Sequence, residues 1–404
     1  MLLELTDMAP TGEAIGRHEG MVIFVPYALP GELVEVELVH RRRTFGRARL
    51  LKVVRPSADR ITPPCPYFGV CGGCEWQHTP IEVQRAYKTR AVKEQFTRIG
   101  RLPNVEVQPC LGGDQPYNYR NHTQFVISAN GKPSYNVAGS GTVIEIDECP
   151  IIDASLNDLM HAQDTGTSAI DQSISQAKEA GIYHHLREVH LRTGTRTHER
   201  MIVLEELDGR TSIAYGQSPL HEQIGEHIYT ISPSSFFQVN TPVAELMVNE
   251  VLSSLSLTGS ERVLDLYCGV GLFTYPISAQ ASLVIGVESN LTAIQDARQN
   301  LAARPNARFI TADVADALVK EEITSIRWDA VVLDPPRAGV AYDALQRLLA
   351  LHAPQIVYVS CDPATLARDA RICVDNGYTI KRVQPLDMFP QTHHVECVVS
   401  MTRS

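Results

Sequence analysis

From about Thr241 to the end of the chain, short apolar runs alternate with helical patterns. After a helix over Pro242–Leu255, the runs fall at Arg262–Tyr267, Leu283–Glu288, Arg308–Thr311, Ala330–Asp334, Ile356–Ser360, Thr379–Val383 and Val395–Met401. Runs this short and this apolar suit strands buried on both faces. Helices in most of the gaps make a βαβ series, which predicts a parallel sheet wound with helices on both sides. In open sheets of this kind ligands bind beyond the carboxyl ends of the strands.

Those ends carry chemistry. The first strand runs into Asp265-Leu266-Tyr267-Cys268-Gly269-Val270-Gly271-Leu272, where glycine permits a tight turn and close approach to a ligand. Glu288, Asp313 and Asp334 then follow the next three strands. Glu288, 17 residues past Gly271, is placed to accept hydrogen bonds from ribose hydroxyls. Thr274 stands where a dinucleotide fingerprint has its third Gly. A ligand with adenine and ribose but no pyrophosphate, such as S-adenosylmethionine, therefore fits better. Asp334-Pro335-Pro336-Arg337 resembles the Asp/Asn-Pro-Pro loop of nucleic-acid methyltransferases.

A thiol sits at another strand end, in Val357-Tyr358-Val359-Ser360-Cys361-Asp362-Pro363. Asp362 suits the N-cap and Pro363 the first position of a following helix. The positive end of that helix favours a thiolate at Cys361, while the Asp362 carboxylate opposes it. A second thiol group is compact: Cys65-x5-Cys71-Gly-Gly-Cys74, with Cys149 in Glu148-Cys149-Pro150 as a fourth donor. Four thiolates suit Zn²⁺ or an iron–sulfur cluster, and spacing alone does not choose between them.

Residues 1–56 read as short strands. Glu32–Val39 alternates polar and apolar, and Met21–Val25 and Arg47–Val54 follow suit, with turn signals at Pro30-Gly31 and Gly46. A five-strand barrel of this size is OB-like, an architecture that binds oligonucleotides. Arg41-Arg42-Arg43 lies in one of its turns. Ile81–Ile99 predicts one amphipathic helix, with Val83, Ala86, Tyr87, Ala91, Val92 and Phe96 inside and Arg85, Lys88, Arg90, Lys93 and Arg98 outside. Residues 105–232 mix strands with one helix, and Gln163–Lys178, polar and weakly patterned, is expected as a long loop or an exposed helix. Three units result: 1–56, an OB-like barrel; 57–232, a mixed α+β domain with the four cysteines, whose helix 81–99 can pack on the next unit; and 233–404, the α/β sheet.

The net charge of −10 hides a segregation. Leu38–Arg101 holds 14 Lys/Arg against 4 Asp/Glu, whereas the rest holds 22 against 42, which suggests an anion-binding surface on an acidic body. No apolar run approaches the roughly 18 residues of a membrane span, and Met1–Asp7 lacks a basic leader region. A cytoplasmic protein without a membrane partner is expected. Nine Cys in 404 residues are too sparse for a disulfide scaffold.

In order along the chain, Cys65-x5-Cys71-Gly-Gly-Cys74-x2-Gln77-His78, Phe236-Phe237-Gln238-Val239-Asn240, Asp265-Leu-Tyr-Cys-Gly-Val-Gly, Asp334-Pro-Pro-Arg337-Ala-Gly339, Ser360-Cys361-Asp362-Pro363 and His394-Val395-Glu396 together resemble the RNA uracil-5-methyltransferase family, in its iron–sulfur branch. The resemblance covers nearly the whole chain. It implies a Rossmann-like class I methyltransferase domain, an N-terminal TRAM barrel that binds RNA, and a [4Fe–4S] cluster on Cys65, Cys71, Cys74 and Cys149. It implies Cys361 as nucleophile, Glu396 as base, and Gln238, Tyr267, Leu272, Glu288, Asp313 and Asp334 as S-adenosylmethionine contacts. Leu272 and Tyr267 depart from the Asn and Phe common in the family. The implied reaction adds a thiolate to C6 of a uracil so that C5 can take the methyl group, after which a base removes the C5 proton. The implied partner is RNA, 23S ribosomal RNA ahead of transfer RNA, and the chain is expected to act as a monomer. A cytosine-5-methyltransferase, whose nucleophile is typically preceded by Pro rather than Ser360, and a non-enzymatic RNA-binding iron–sulfur protein are the competing readings.

Overall fold

A computed structural model describes residues 1–162 and 166–403. Five strands, Leu2–Met8, Ala14–His18, Met21–Val25, Leu33–Arg41 and Phe45–Arg55, close into a barrel in the order 1-2-3-5-4. Alternation sends Leu3, Leu5, Ile23, Val25, Val34, Val36 and Ala48 inward. The first two strands have no counterpart in the sequence reading, because each is interrupted by charged or glycine residues. Trp76, 2% exposed, packs into the barrel core and donates its indole N–H to the Gly12 carbonyl at 3.0 Å. The loop carrying three of the cysteines is thereby tied to the barrel.

The helix Ile81–Arg98 forms as expected, but with a different inward face: Gln84, Lys88, Val92 and Phe96 are buried, while Ala86 is exposed. Lys88, expected outside, is fully buried against Asp387. An amphipathic pattern reports apolar positions and misses a buried cation whose partner lies 299 residues away. Val92 and Phe96 join the core of the C-terminal sheet. The chain then lays Val107 and Leu111 beside Val383 and Leu386 at the edge of that sheet.

The central region holds a six-stranded sheet that includes His122–Ile127, Leu186–Thr193 and Arg200–Glu206. The stretch expected as a loop or exposed helix contains the helix Ala169–Glu179, which buries Ala169, Ile170, Ser173, Ile174 and Ala177. Its apolar positions recur at helical spacing, but small and polar residues between them dilute the pattern. Residues 163–165 of that stretch lie outside the described residues.

The C-terminal sheet has seven strands in the order Ala307–Thr311, Leu283–Glu288, Arg262–Leu266, Ala330–Leu333, Gln355–Ser360, Glu396–Arg403, Tyr378–Leu386. Six run in one direction. Only the final strand, Glu396–Arg403, runs antiparallel to the rest, which corrects the expectation of a parallel sheet throughout. Between Leu386 and Glu396 the chain has no room for the crossover helix that a parallel return requires. The final strand instead inserts between its two neighbours, in register with Ser360 opposite Cys397 and Leu386 opposite Glu396. No described helix is long and apolar enough to cross a membrane.

Candidate active site

The carboxyl edge of the parallel strands is shaped by its turns. Tyr267, Gly269 and Gly271 adopt φ of 62°, 54° and 91°, so the chain leaves the first strand through left-handed conformations. A Cβ on Gly271 would stand 2.8 Å from Leu301 Cδ1, which would have to shift, and the positive φ favours glycine there. The Gly269 N–H donates to Glu288 Oε2 at 3.2 Å, tying the end of the second strand to the glycine turn. Across the opening, Asn121 fixes the Gln238 segment: its side-chain amide donates to the Gln238 carbonyl at 3.0 Å and its main-chain N–H to the Val239 carbonyl at 2.9 Å.

Gln238, Tyr267, Leu272 and Asp334 line a single pocket with about 350 Å³ of empty space, together with Phe236, Phe237, Cys268–Val270 and Phe273. Glu288 reaches this pocket through Gly269. Asp313 is more remote: it caps the short helix Val314–Ala317, accepting from the Ala315 N–H at 2.8 Å, and its charge is felt at Tyr267. Sequence reasoning also passed over residues in the pocket and beneath it, Phe236 and Asp265 among them. Phe236 is 71% exposed at the mouth, which an apolar motif does not signal. Asp265 is fully buried beneath the turn; Thr274 donates to one of its oxygens at 2.5 Å and the other has no partner. Burial, followed by Asp334 and Glu288, pushes its carboxyl up to about 7. An acid in the middle of an otherwise apolar strand was the available signal.

Cys361 follows the strand Gln355–Ser360. Asp362 caps the helix Pro363–Asp375, accepting from the N–H groups of Ala364 and Thr365 at 3.0 and 2.9 Å. Since Ser360 pairs with Cys397, Cys361 and Glu396 are the next pair along the antiparallel register, directly opposite each other. Glu396 is 5% exposed. Burial, then the nearby Asp334, holds its carboxyl well above the ordinary range, against the pull of Arg337. The Cys361 thiol is pushed up to about 12 by burial, then by Glu396 and Asp334, with Arg337 again opposing. Desolvation and two carboxylates thus act on Cys361 against the helix start. Arg337 is held over this site by contact with His394 Nδ1 at 3.3 Å, and Thr365 donates to its carbonyl at 3.2 Å. The motifs around residues 334, 361 and 396 thus converge on one edge of the sheet.

A second site lies apart. Cys65, Cys71, Cys74 and Cys149 line one hollow with about 740 Å³ of empty space, ringed by Tyr67, Phe68 and Tyr135. Their loops are fixed by main-chain bonds, Cys71 N–H to the Tyr67 carbonyl at 2.9 Å and Cys149 N–H to Asn157 Oδ1 at 2.9 Å. None is in a disulfide. Burial raises the pKa of Cys71, Cys74 and Cys149, and charge on neighbouring cysteines raises it further. Four thiols facing one hollow, Cys71, Cys74 and Cys149 among them penalised for ionising alone, form a donor set that a cationic metal group would satisfy.

The basic segment is less free than its composition suggests. Arg47, Arg49, Arg55, Arg60, Lys88 and Arg90 pair with Glu13, Glu37, Glu4, Glu32, Asp387 and Asp7. Arg41, Arg42 and Arg43 are exposed at the end of a barrel strand and its turn.

The tRNA (uracil-5-)-methyltransferase family profile matches residues 215–404, and the TRAM domain profile matches residues 2–51. An uncharacterised RNA methyltransferase of Halalkalibacterium halodurans is 33% identical over 98% of this chain and 95% of its own. A protein of Shewanella sediminis named 23S rRNA (uracil(1939)-C(5))-methyltransferase RlmD is 34% identical over 98% of this chain and 94% of its own. The crystal structure of the Pyrococcus abyssi tRNA (uracil-54, C5)-methyltransferase, in complex with S-adenosyl-L-homocysteine, superposes with a TM-score of 0.74 at 27% identity, covering 100% of both chains. With a methyltransferase sheet, a TRAM barrel and relatives similar along almost its full length, the chain belongs to the S-adenosylmethionine-dependent RNA uracil-5-methyltransferase family.

Proposed function

We propose that this protein methylates C5 of a specific uridine in 23S ribosomal RNA through a covalent adduct between Cys361 and C6 of the base. The observation that carries the reading is the placement of Cys361 and Glu396 side by side at the same sheet edge as the glycine-turn pocket. Addition of the Cys361 sulfur to C6 makes C5 an enolate carbon, a nucleophile that uracil itself lacks. Gln238, Tyr267, Leu272, Glu288 and Asp334 hold the cofactor, with Asp313 at the periphery. S-adenosylmethionine supplies the methyl group on a sulfonium, whose positive charge acts on Cys361 and Glu396 in the same sense as Arg337. Glu396 then removes the C5 proton and the C6–sulfur bond breaks, returning the sulfur to Cys361. A raised carboxyl pKa makes Glu396 a stronger base than a solvated glutamate. The target base must leave its stack to reach this edge, and exposed Phe236 offers a face at the pocket mouth.

Cys65, Cys71, Cys74 and Cys149 are assigned to a [4Fe–4S] cluster that fastens the loop between barrel and central sheet. Arg41–Arg43 on the TRAM barrel contact RNA phosphates, and the protein works as a cytoplasmic monomer. Ribosomal RNA is preferred over transfer RNA because the relative named for 23S rRNA is 34% identical, against 27% for the transfer-RNA enzyme. Mapping 5-methyluridine in 23S rRNA and tRNA from cells lacking the protein tests this. Loss of one 23S site is expected. Loss at a tRNA site would move the substrate, and loss of 5-methylcytidine would overturn the chemistry.

A further inference from the structure

The catalytic base is reached through one segment, Asp387–His394, which every other part of the molecule grips. Lys88 of the helix Ile81–Arg98 pairs with Asp387 and donates to the Phe389 carbonyl at 3.0 Å. Tyr119 donates its hydroxyl to the Pro390 carbonyl at 3.0 Å. Gln391 is the hub. Its carbonyl accepts from the N–H groups of Glu75 and Trp76, both at 2.9 Å, directly after Cys74. Its own N–H donates to Gln84 Oε1 at 2.9 Å, and Gln84 Nε2 donates back to Gln391 Oε1 at 2.9 Å. Gln391 adopts φ of 72°, a left-handed conformation costly for a residue with a Cβ and held here by those bonds. Both glutamines are almost completely buried, Gln84 at 0% and Gln391 at 2% exposure. Five residues later the chain becomes Glu396.

We propose that Gln84 and Gln391 are positioning residues for Glu396: their reciprocal amide bonds fix where the last strand begins, and so set the carboxylate against the C5 proton of the adduct. The proposal rests on the reading of Glu396 as base. It makes the cysteine loop and the helix Ile81–Arg98 part of the proton-removal machinery, since both end on the same peptide.

The effect falls chiefly on one step. Methyl transfer uses the cofactor pocket, which the segment does not line, and His394, whose ring touches Arg337 beside Cys361, lies three residues past Gln391. Loss of the amide pair should slow resolution of the methylated adduct. The test is single-turnover reaction of Gln84→Met, which keeps length and removes both bonds to Gln391 together with the donations to the Trp76 and Thr79 carbonyls, with methyl-labelled S-adenosylmethionine and substrate RNA. Adduct is trapped on denaturing gels and Glu396→Gln is run beside it. Methyl transfer and RNA affinity should stay within about twofold of wild type, while adduct decay slows at least about tenfold, because sub-ångström displacement of a proton acceptor is enough. Gln84→Glu, whose buried carboxyl can still accept from the Gln391 N–H, should recover part of the decay rate. Gln391→Met, which leaves the main-chain bonds to Glu75 and Trp76 intact, should show the same selective slowing if Gln84→Met fails to fold. Wild-type decay in a folded variant, or equal loss of methyl transfer and decay, overturns the proposal while Glu396→Gln still traps adduct. If Glu396→Gln itself traps none, the reading of the base fails and the proposal falls with it.

Discussion

Removing the Asp387 carboxylate would strand a buried ammonium. Lys88 and Asp387 are both fully buried, and without Asp387 the Lys88 ammonium keeps the Phe389 carbonyl at 3.0 Å and the Trp76 ring at 6.0 Å, while the partly exposed Arg85 loses the same carboxylate. Breaking a buried pair from one side costs about 3–5 kcal/mol, because the remaining charge cannot regain water. For a cooperative unit of about 150–250 residues each kcal/mol moves the midpoint by about 2–4 °C, so Asp387→Ala should lower Tm by about 6–20 °C. Adding Lys88→Met removes the stranded charge and should restore at least about half of the loss. The exposed pair Arg49–Glu37 is the control, with side chains 67% and 51% exposed. Glu37→Ala there should cost under about 1 kcal/mol. Scanning calorimetry of the four proteins reads the series. A shift for Asp387→Ala as small as that for Glu37→Ala, or a double variant less stable than the single one, would refute the reasoning.

Other outcomes follow from the sites. Replacing Arg41, Arg42 and Arg43 by Ala should weaken RNA binding and flatten its salt dependence by up to about three phosphate contacts; an unchanged slope would place the RNA elsewhere. Because the Cys361 thiol is pushed up to about 12, its alkylation in the free enzyme should keep rising with pH beyond pH 9, read by site-resolved mass spectrometry. A plateau below about pH 8 would instead mark a thiolate stabilised by the helix start. Anaerobically purified protein should carry about four iron per chain, lost when Cys65 and Cys74 are replaced by Ser; stoichiometric zinc after anaerobic reconstitution would contradict the cluster assignment.

What the sequence made legible was whatever rests on local pattern. Most strands of the C-terminal sheet were readable because they are runs of buried aliphatic residues, and the cap at Asp362 because capping is decided within four residues. The antiparallel return of the last strand is partly local too, since the short gap before it excludes a crossover. Long-range pairing stayed hidden. Lys88 looked like a solvated face because Asp387 is 299 residues away, and Gln84 gave no signal because its partner Gln391 is 307 residues away. The same limit governed the active site. Cys361 and Glu396 were separately identifiable by motif, but the high pKa of the thiol depends on Glu396 and Asp334 arriving from other strands. For Asp313 the sequence marked a strand-end acid but not the cap its carboxylate makes on the Ala315 N–H.

The covalent mechanism is tested most directly by the opposed behaviour of two variants. Incubated with methyl-labelled S-adenosylmethionine and substrate RNA, Glu396→Gln should stall as a labelled protein–RNA band on denaturing gels, since methyl transfer precedes removal of the C5 proton and an amide is no base at neutral pH. Cys361→Ala should give neither band nor methylated RNA. Normal turnover by Glu396→Gln, or a labelled band from Cys361→Ala, would contradict the assignment of nucleophile and base.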